Sequence, residues 1–237
     1  MGQSFFVWKG VDCRSMGILL AGPPAIIRGE ERVEHVTIPG RAGELTLTEG
    51  DSIFQGYIQT VTMHVKGGYR VRDVQNWLKG AGDVIFSCEP DRKQKARVIG
   101  AVTLEKHSRN LDYYSGEVQF YCEPFKEPVL DEAVVITSSG AAVVNRGDAK
   151  SRPLIGAKAS GTSMTITAGG NSLTVTGLIA DAWYTVDCEA GMVVSADGTT
   201  NLTANSSGNF PILAQGSNEV TGSGWAELDI WRRERFL

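Results

Sequence analysis

Long apolar runs are absent from this 237-residue sequence. No uninterrupted stretch approaches the roughly 20 apolar residues that a membrane-spanning helix needs. The N-terminus also lacks a basic stretch followed by an apolar segment, so we expect a soluble protein without a signal peptide. The hydrophobic fraction of 42% is nevertheless sufficient for real cores, which is typical of a folded chain and not of a disordered one.

Cysteine is scarce and irregularly spaced. Cys13, Cys88, Cys122 and Cys188 form no CxxC pair and none of the dense spacings of disulfide-rich domains. We interpret them as reduced, partly buried thiols in a protein that is made in a cytosol.

Recognisable catalytic motifs are missing as well. His35, His64 and His107 lie in no HExxH motif and at no metal-ligand spacing from a cysteine or carboxylate. The sequence has no GxSxG nucleophile elbow and no P-loop. Scattered carboxylates leave a glycosidase pair open, because such pairs are assembled only in three dimensions. We predict a protein that is not an enzyme and that uses no metal or cofactor.

The net charge of -4 does not favour a broad nucleic-acid-binding surface. One local basic cluster follows Asp91 and consists of Arg92, Lys93, Lys95 and Arg97. It is interpreted either as the solvated tip of a hairpin between two strands, or as a contact to an acidic neighbour or to passing DNA.

A change in composition divides the chain. The first part carries most of the charge, whereas the second is rich in Gly, Ser, Thr, Ala and Val. Pro124 and Pro128 lie where the composition changes, and proline disfavours both helix and regular strand pairing. We therefore predict two domains, residues 1–130 and 131–237.

Apolar and polar residues alternate in both parts, which predicts strands. Val118, Phe120 and Cys122 share one face of such a run. In the second part, two alternating runs flank residues 168–171, whose two glycines predict a hairpin. Only the segment from Val71 to Lys79 has helical spacing. The fold class is therefore mainly β, with one α-helix in the N-terminal domain.

Two further features allow more than one interpretation. The tripeptide Arg146-Gly147-Asp148 can be an adhesion motif, but a turn explains it equally well. Four aromatic residues can form a sugar-stacking platform, or belong to a β-sandwich core or an oligomer contact. They are Trp183, Tyr184, Trp225 and Trp231.

Several segments, in order along nearly the whole chain, resemble the distal tail proteins of long-tailed bacteriophages. The opening Phe6–Ile18 has the aromatic-x-Gly-x-Asp pattern of that family, with Cys13-Arg14 inserted before Ser15. Val36–Gly43 then contains a Pro-Gly-Arg-x-Gly loop. Later similar segments are Trp77–Gly80, Val84–Ser87, Val144–Asp148, Ser151–Gly156, Val186–Cys188, Ala196–Gly198 and Asn209–Leu213.

The resemblance implies a structural subunit of the virion tail tip that assembles in the cytoplasm of the host bacterium. In this family the N-terminal domain forms a hexameric hub ring. The ring joins the tail tube protein to the tail-associated baseplate hub protein, and DNA passes through its lumen. The C-terminal domain is a galectin-like β-sandwich that can dock receptor-binding proteins. No membrane partner is implied.

The Pro-Gly-Arg-x-Gly loop supplies the candidates for ring and stacking contacts, Pro39, Gly40, Arg41 and Gly43. Proline fixes φ and the glycines allow unusual backbone geometry around one exposed charge, which suits a contact loop, although an ordinary tight turn has the same composition. Two other functions remain open. One is a carbohydrate-binding adhesin that acts through the C-terminal sandwich, and the other is a cell-wall or capsule hydrolase.

Overall fold

A computed structural model describes residues 3–48, 53–67, 70–107 and 112–237. The chain divides into two compact units between Val129 and Leu130. Each unit has its own hydrophobic core. Among the described residues, no helix is long and apolar enough to cross a membrane.

The first unit is built on a seven-stranded antiparallel sheet. In chain order, the strands of the whole unit are β1 (Phe6–Trp8), β2 (Val11–Asp12), β3 (Ile18–Leu20), β4 (Glu30–Glu31), β5 (Val33–Thr37), β6 (Glu44–Thr48), β7 (Phe54–Gln55), β8 (Tyr57–Lys66), β9 (Ala81–Phe86), β10 (Arg92–Lys106) and β11 (Tyr113–Pro128). The order within the large sheet is β2-β1-β9-β10-β11-β8-β3, while β4 pairs with β7 and β5 with β6.

Alternation determines which face of this sheet is buried. Val118, Phe120 and Cys122 of β11 lie in the core, as their spacing predicts. The one α-helix of the described residues, α1 (Val71–Trp77), begins where the helical pattern begins and buries Val74 against the core. Aromatic rings strengthen this packing, since Phe6 stacks on Trp77 at 5.7 Å between ring centroids.

The second unit consists of two five-stranded antiparallel sheets. Its strands are β12 (Val134–Ile136), β13 (Ala141–Asn145), β14 (Leu154–Ala159), β15 (Ser163–Ala168), β16 (Asn171–Thr176), β17 (Trp183–Asp187), β18 (Met192–Ser195), β19 (Ser206–Gly208), β20 (Gly216–Ser223) and β21 (Trp225–Trp231). One sheet has the order β12-β21-β14-β17-β18 and the other β13-β20-β15-β16-β19. Buried residues of both sheets form one core, so the unit is a β-sandwich.

The predicted hairpin joins β15 to β16. Gly169 and Gly170 form its two-residue turn, with φ of 59° and 78°. A two-residue turn with two positive φ angles matches the twist of the flanking strands and favours glycine at both positions. A Cβ at Gly169 would lie 2.1 Å from the carbonyl oxygen of Ile212, so a side chain at this position is also excluded by space.

Candidate functional site

Strands β5 and β6, with the loop between them, form an antiparallel hairpin that we call the arm (residues 33–48). Within the described part of the chain, its strands pair only with each other. Val33 and Leu47 are 41% and 44% exposed. An isolated two-stranded hairpin is marginally stable in water, so a partner surface would stabilise this one.

The two faces of the arm differ in chemistry. Val36 lies opposite Leu45, and Leu47 lies on the same face opposite Glu34. The other face carries Val33 at the base of the arm and is polar beyond it, where the Nδ1 of His35 lies 3.3 Å from the hydroxyl of Thr46 and 3.8 Å from a carboxylate oxygen of Glu44. One face of the arm is therefore richer in apolar side chains than the other, and neither face is covered within the described chain.

The Pro-Gly-Arg-x-Gly loop is the tip of the arm. The amide of Arg41 donates a hydrogen bond to the carbonyl oxygen of Ile38 at 3.1 Å, which closes a β-turn with Pro39 and Gly40 at its centre. Gly40 has a φ of 85°, as the third residue of a type II turn requires. The loop is thus a tight turn. Its four candidate contact residues are all exposed: Pro39, Gly40, Arg41 and Gly43.

The chain that leads into the arm is attached to the large sheet. The Nζ of Lys126 donates a hydrogen bond to the carbonyl oxygen of Ile27 at 3.2 Å. Beyond the arm, the ring of Phe54 packs edge-on against Phe125, with 5.6 Å between centroids. Both Lys126 and Phe125 belong to β11, so this strand holds the base of the arm while its tip extends into solvent.

The interpretation of the basic cluster as a hairpin tip is wrong. Its four members lie within strand β10, whose inner positions Gln94 and Ala96 are buried. Lys93, Lys95 and Arg97 alternate with these buried positions, as the period of a strand requires, and their charges lie on its outward face. Arg92, the fourth member, shares the face of Gln94 and Ala96 and is half-buried.

Acidic side chains accompany this cluster. The Nη1 of Arg92 lies 3.1 Å from a carboxylate oxygen of Glu89, and the Nζ of Lys93 lies 3.9 Å from one of Glu127. Lys95 lies directly across from Asp83 in the sheet.

Lys95 and Arg97 share a surface cavity of about 610 Å³ with both acidic and neutral side chains. The side chains of Asp83, Tyr121 and Glu123 are among those that line it. Because charges of both signs are interleaved, this face suits a polar protein contact better than tight binding of a phosphate backbone.

The thiols and imidazoles form no catalytic arrangement in the described residues. All four cysteines are free of disulfides, and burial raises the pKa of the Cys122 and Cys188 thiols to about 12, so neither is a thiolate near neutral pH. His64 stacks on Tyr113 and His107 packs edge-on against the same ring. No group of three His, Cys, Asp or Glu side chains in this part of the chain is placed to hold a metal ion.

The Arg-Gly-Asp tripeptide is part of a structural turn. Gly147 is buried, and its amide donates to the Oδ1 of Asn145 at 2.9 Å. The amide of Asp148 donates to the carbonyl oxygen of Arg235 at 2.7 Å. The turn therefore binds the C-terminal segment through its backbone, which favours the turn over the adhesion motif.

The four aromatic residues do not form one platform. Tyr184 is buried, and its hydroxyl accepts a hydrogen bond from the amide of Ile179 at 2.8 Å. Trp225 packs on the core and donates from Nε1 to the carbonyl oxygen of Thr165 at 3.2 Å. Trp183 and Trp231 are half-buried on the outward face of the sheet that contains β14, β17 and β21.

The sequence matches no protein-family model and no curated protein sequence. Its structure is similar to the crystal structure of the Dit protein (gp 19.1) of SPP1, with a TM-score of 0.82 and 18% sequence identity over 100% of both chains. That protein is described as a paradigm of the hub adsorption apparatus in phages that infect Gram-positive bacteria. The similarity confirms the mainly β fold with one helix and the resemblance to distal tail proteins at the level of the whole fold.

Proposed function

We propose that this protein is a structural subunit of a bacteriophage tail tip, where six copies form a hub ring between the tail tube protein and the tail-associated baseplate hub protein. One observation carries the proposal. The fold matches a phage hub protein over the full length of both compared chains.

The arm is the element that we assign to the ring contact. A closed ring requires heterologous interfaces, in which one surface of a subunit meets a different surface of the next. An exposed hairpin, held at its base by β11, suits such a contact, because Val36, Leu45 and Leu47 lie together on one face beside Glu34. The lumen of the ring would serve as the passage for DNA.

The second unit is assigned a docking role. As a galectin-like sandwich, it would bind receptor-binding components, whereas the first unit would provide the ring. The basic cluster on β10, with its interleaved carboxylates, would contact a neighbouring tail protein and not the DNA.

Electron microscopy of the purified full-length protein tests the ring directly. Negative-stain images at high concentration, or after mixing with the tail tube protein of the same phage, should contain rings with six lobes. Light scattering should give six times the mass of the 25.5 kDa chain. A protein that remains monomeric under both conditions would contradict the proposed assembly.

A structural subunit of this kind is not expected to be an enzyme. Cell-wall and capsule polysaccharides embedded in a gel test this point by zymography. The expected result is no cleared band. A cleared band that disappears when one carboxylate is changed to its amide would establish the rival hydrolase function.

A further inference from the structure

The two outward faces of the sandwich have different chemistry. On the sheet that contains β15 and β16, the outward positions carry hydroxyl groups, with Thr165 paired to Thr174 and Thr167 to Ser172. On the other sheet, Val135 is 57% exposed and the rings of Trp183 and Trp231 lie outward. Antiparallel sheets usually present polar residues to water, so the second face has the composition of a contact surface.

A glycine lies at the centre of this second face. Gly156 of β14 is flanked by Asp229 of β21 and Thr185 of β17. A Cβ at Gly156 would lie 3.5 Å from the Cζ3 of Trp231 and 3.7 Å from that of Trp183. The two indole rings therefore approach the glycine from the strands on either side of it, β21 and β17, and lie above the sheet.

One oxygen of the Asp229 carboxylate, which lies beside the rings, has no hydrogen-bond donor among the described residues. This oxygen, Oδ1, is buried. A buried polar atom in this state costs free energy until a donor reaches it. On the same face, Asp187 is paired with Arg233, and Lys158 lies 3.8 Å from Asp181.

These pairings leave the face with surplus negative charge. Asp229 lies next to the rings, and Glu227 lies across the sheet from Lys158. Half-buried aromatic rings together with a carboxylate attract a cation through two effects, attraction to the electron-rich ring faces and a charged hydrogen bond.

We propose that this face, which we call the tryptophan face and define by Gly156, Trp183, Asp229 and Trp231, docks an arginine side chain of a partner protein. A guanidinium group is flat, stacks on indole rings and donates hydrogen bonds to a carboxylate. A lysine ammonium is more strongly hydrated, so it suits a partly buried aromatic site less well. A neutral sugar would form no ion pair with the surplus carboxylates. The inference rests on the proposed docking role of the second unit and names the chemistry of the partner.

The five tryptophans of the chain provide the measurement. Full-length protein with ¹⁵N-labelled indoles is titrated with a capped Gly-Arg-Gly peptide, with Gly-Gln-Gly and with N-acetylglucosamine. The arginine peptide should shift the Nε1–H resonances of Trp183 and Trp231 in a saturable way. The resonances of Trp8, Trp77 and Trp225 should not move, because these rings pack in the cores.

Substitutions then separate binding from folding. Asp229→Asn retains the shape of the side chain and should weaken binding of the arginine peptide at least tenfold, as should Trp231→Ala. Glu219→Gln removes one exposed charge from the opposite sheet and should bind like the parent protein. The resonance of Trp225 reports whether each variant of this unit is folded.

Three outcomes would overturn the proposal. They are equal shifts with the glutamine peptide, unchanged binding in folded Asp229→Asn, and saturable shifts with N-acetylglucosamine but not with arginine, which would instead support a carbohydrate-binding face. None of these outcomes affects the six-lobed rings, so a failure here is distinguishable from a failure of the proposed hub assembly.

Discussion

The Nζ of Lys126 lies 2.6 Å from a carboxylate oxygen of Glu89, and the lysine side chain is only 6% exposed. The same ammonium group binds the carbonyl oxygen of Ile27, in the segment that leads to the arm. One buried cation therefore connects β11, the turn before β10 and the base of the proposed contact hairpin.

Replacing Lys126 by methionine should destabilise the first unit by about 2 kcal/mol, because the carbonyl of Ile27 loses this donor and the half-buried carboxylate of Glu89 keeps only Arg92 as a cation. Urea unfolding of the full chain measures the change. Lys93→Met is the matched control. Its partner Glu127 lies at 3.9 Å on the surface, so the loss should stay below about 1 kcal/mol. Equal losses of unfolding free energy in both variants would show that the Lys126 contact stabilises the unit no more than the surface pair of Lys93 does.

Local alternation was sufficient to predict several strands and their buried faces. Val118 and Phe120 are buried as their positions in an alternating run require, because a strand with one face on the core must repeat every two residues. The same rule could have placed Arg92–Arg97 in a strand, since Gln94 and Ala96 alternate with the charges. The charges instead suggested a solvated turn, and that interpretation was wrong.

Contacts between distant segments could not be read from the sequence. Trp225 and Trp231 lie six positions apart on β21 and would share a face in a regular strand. A register shift opposite Lys158 and Ala159 brings Trp225 onto the core and leaves Trp231 outward. A bulge of this kind depends on the partner strand β14, and so does the position of Gly156 beneath the two rings.

The ion pair between Asp187 and Arg233 predicts a dependence of stability on acid. The two hydrogen bonds from the Arg233 guanidinium, at 2.7 and 3.0 Å, are the main cause that lowers the pKa of Asp187 from 3.8 to about 2. A lowered carboxyl pKa stabilises the folded state above pH 3.8, and this contribution is lost as the pH falls towards 2.

Asp187→Asn should therefore destabilise the protein by about 1 kcal/mol near neutral pH, a value reduced for the partial solvation of the pair. The difference from the parent protein should become smaller between pH 4 and pH 2. Urea unfolding at pH 7, 4 and 2.5 measures it. A constant difference across this range would mean that the ionised carboxylate contributes nothing to folding.

The fragment Asp131–Leu237 should fold alone. Its sandwich has a core of its own, and Asp131 accepts a hydrogen bond from the amide of Arg233 at 3.1 Å, so the fragment retains the contact that joins its two ends. Circular dichroism should give a β-type spectrum with a cooperative thermal transition. A featureless spectrum would contradict two independently folding domains.

Reversal of the charge at the tip of the arm should weaken assembly without affecting folding. Arg41 is exposed on the type II turn, so Arg41→Glu should change the free energy of unfolding by less than about 0.5 kcal/mol. If the tip contacts the next subunit, hexamers should require at least a tenfold higher protein concentration, which corresponds to about 1.4 kcal/mol of interface free energy. Size-exclusion chromatography with light scattering measures this concentration.

Arg152→Glu introduces the same charge change at an exposed position of the second unit, and it should assemble like the parent chain. Truncation locates the interface independently. The fragment that ends at Leu130 should form hexamers at high concentration, because it retains the arm and β11, which holds the base of the arm. The fragment from Asp131 should remain monomeric, because its docking face is proposed for a different partner. If the second fragment forms hexamers while the first stays monomeric, the assignment of the ring contact to the arm is wrong.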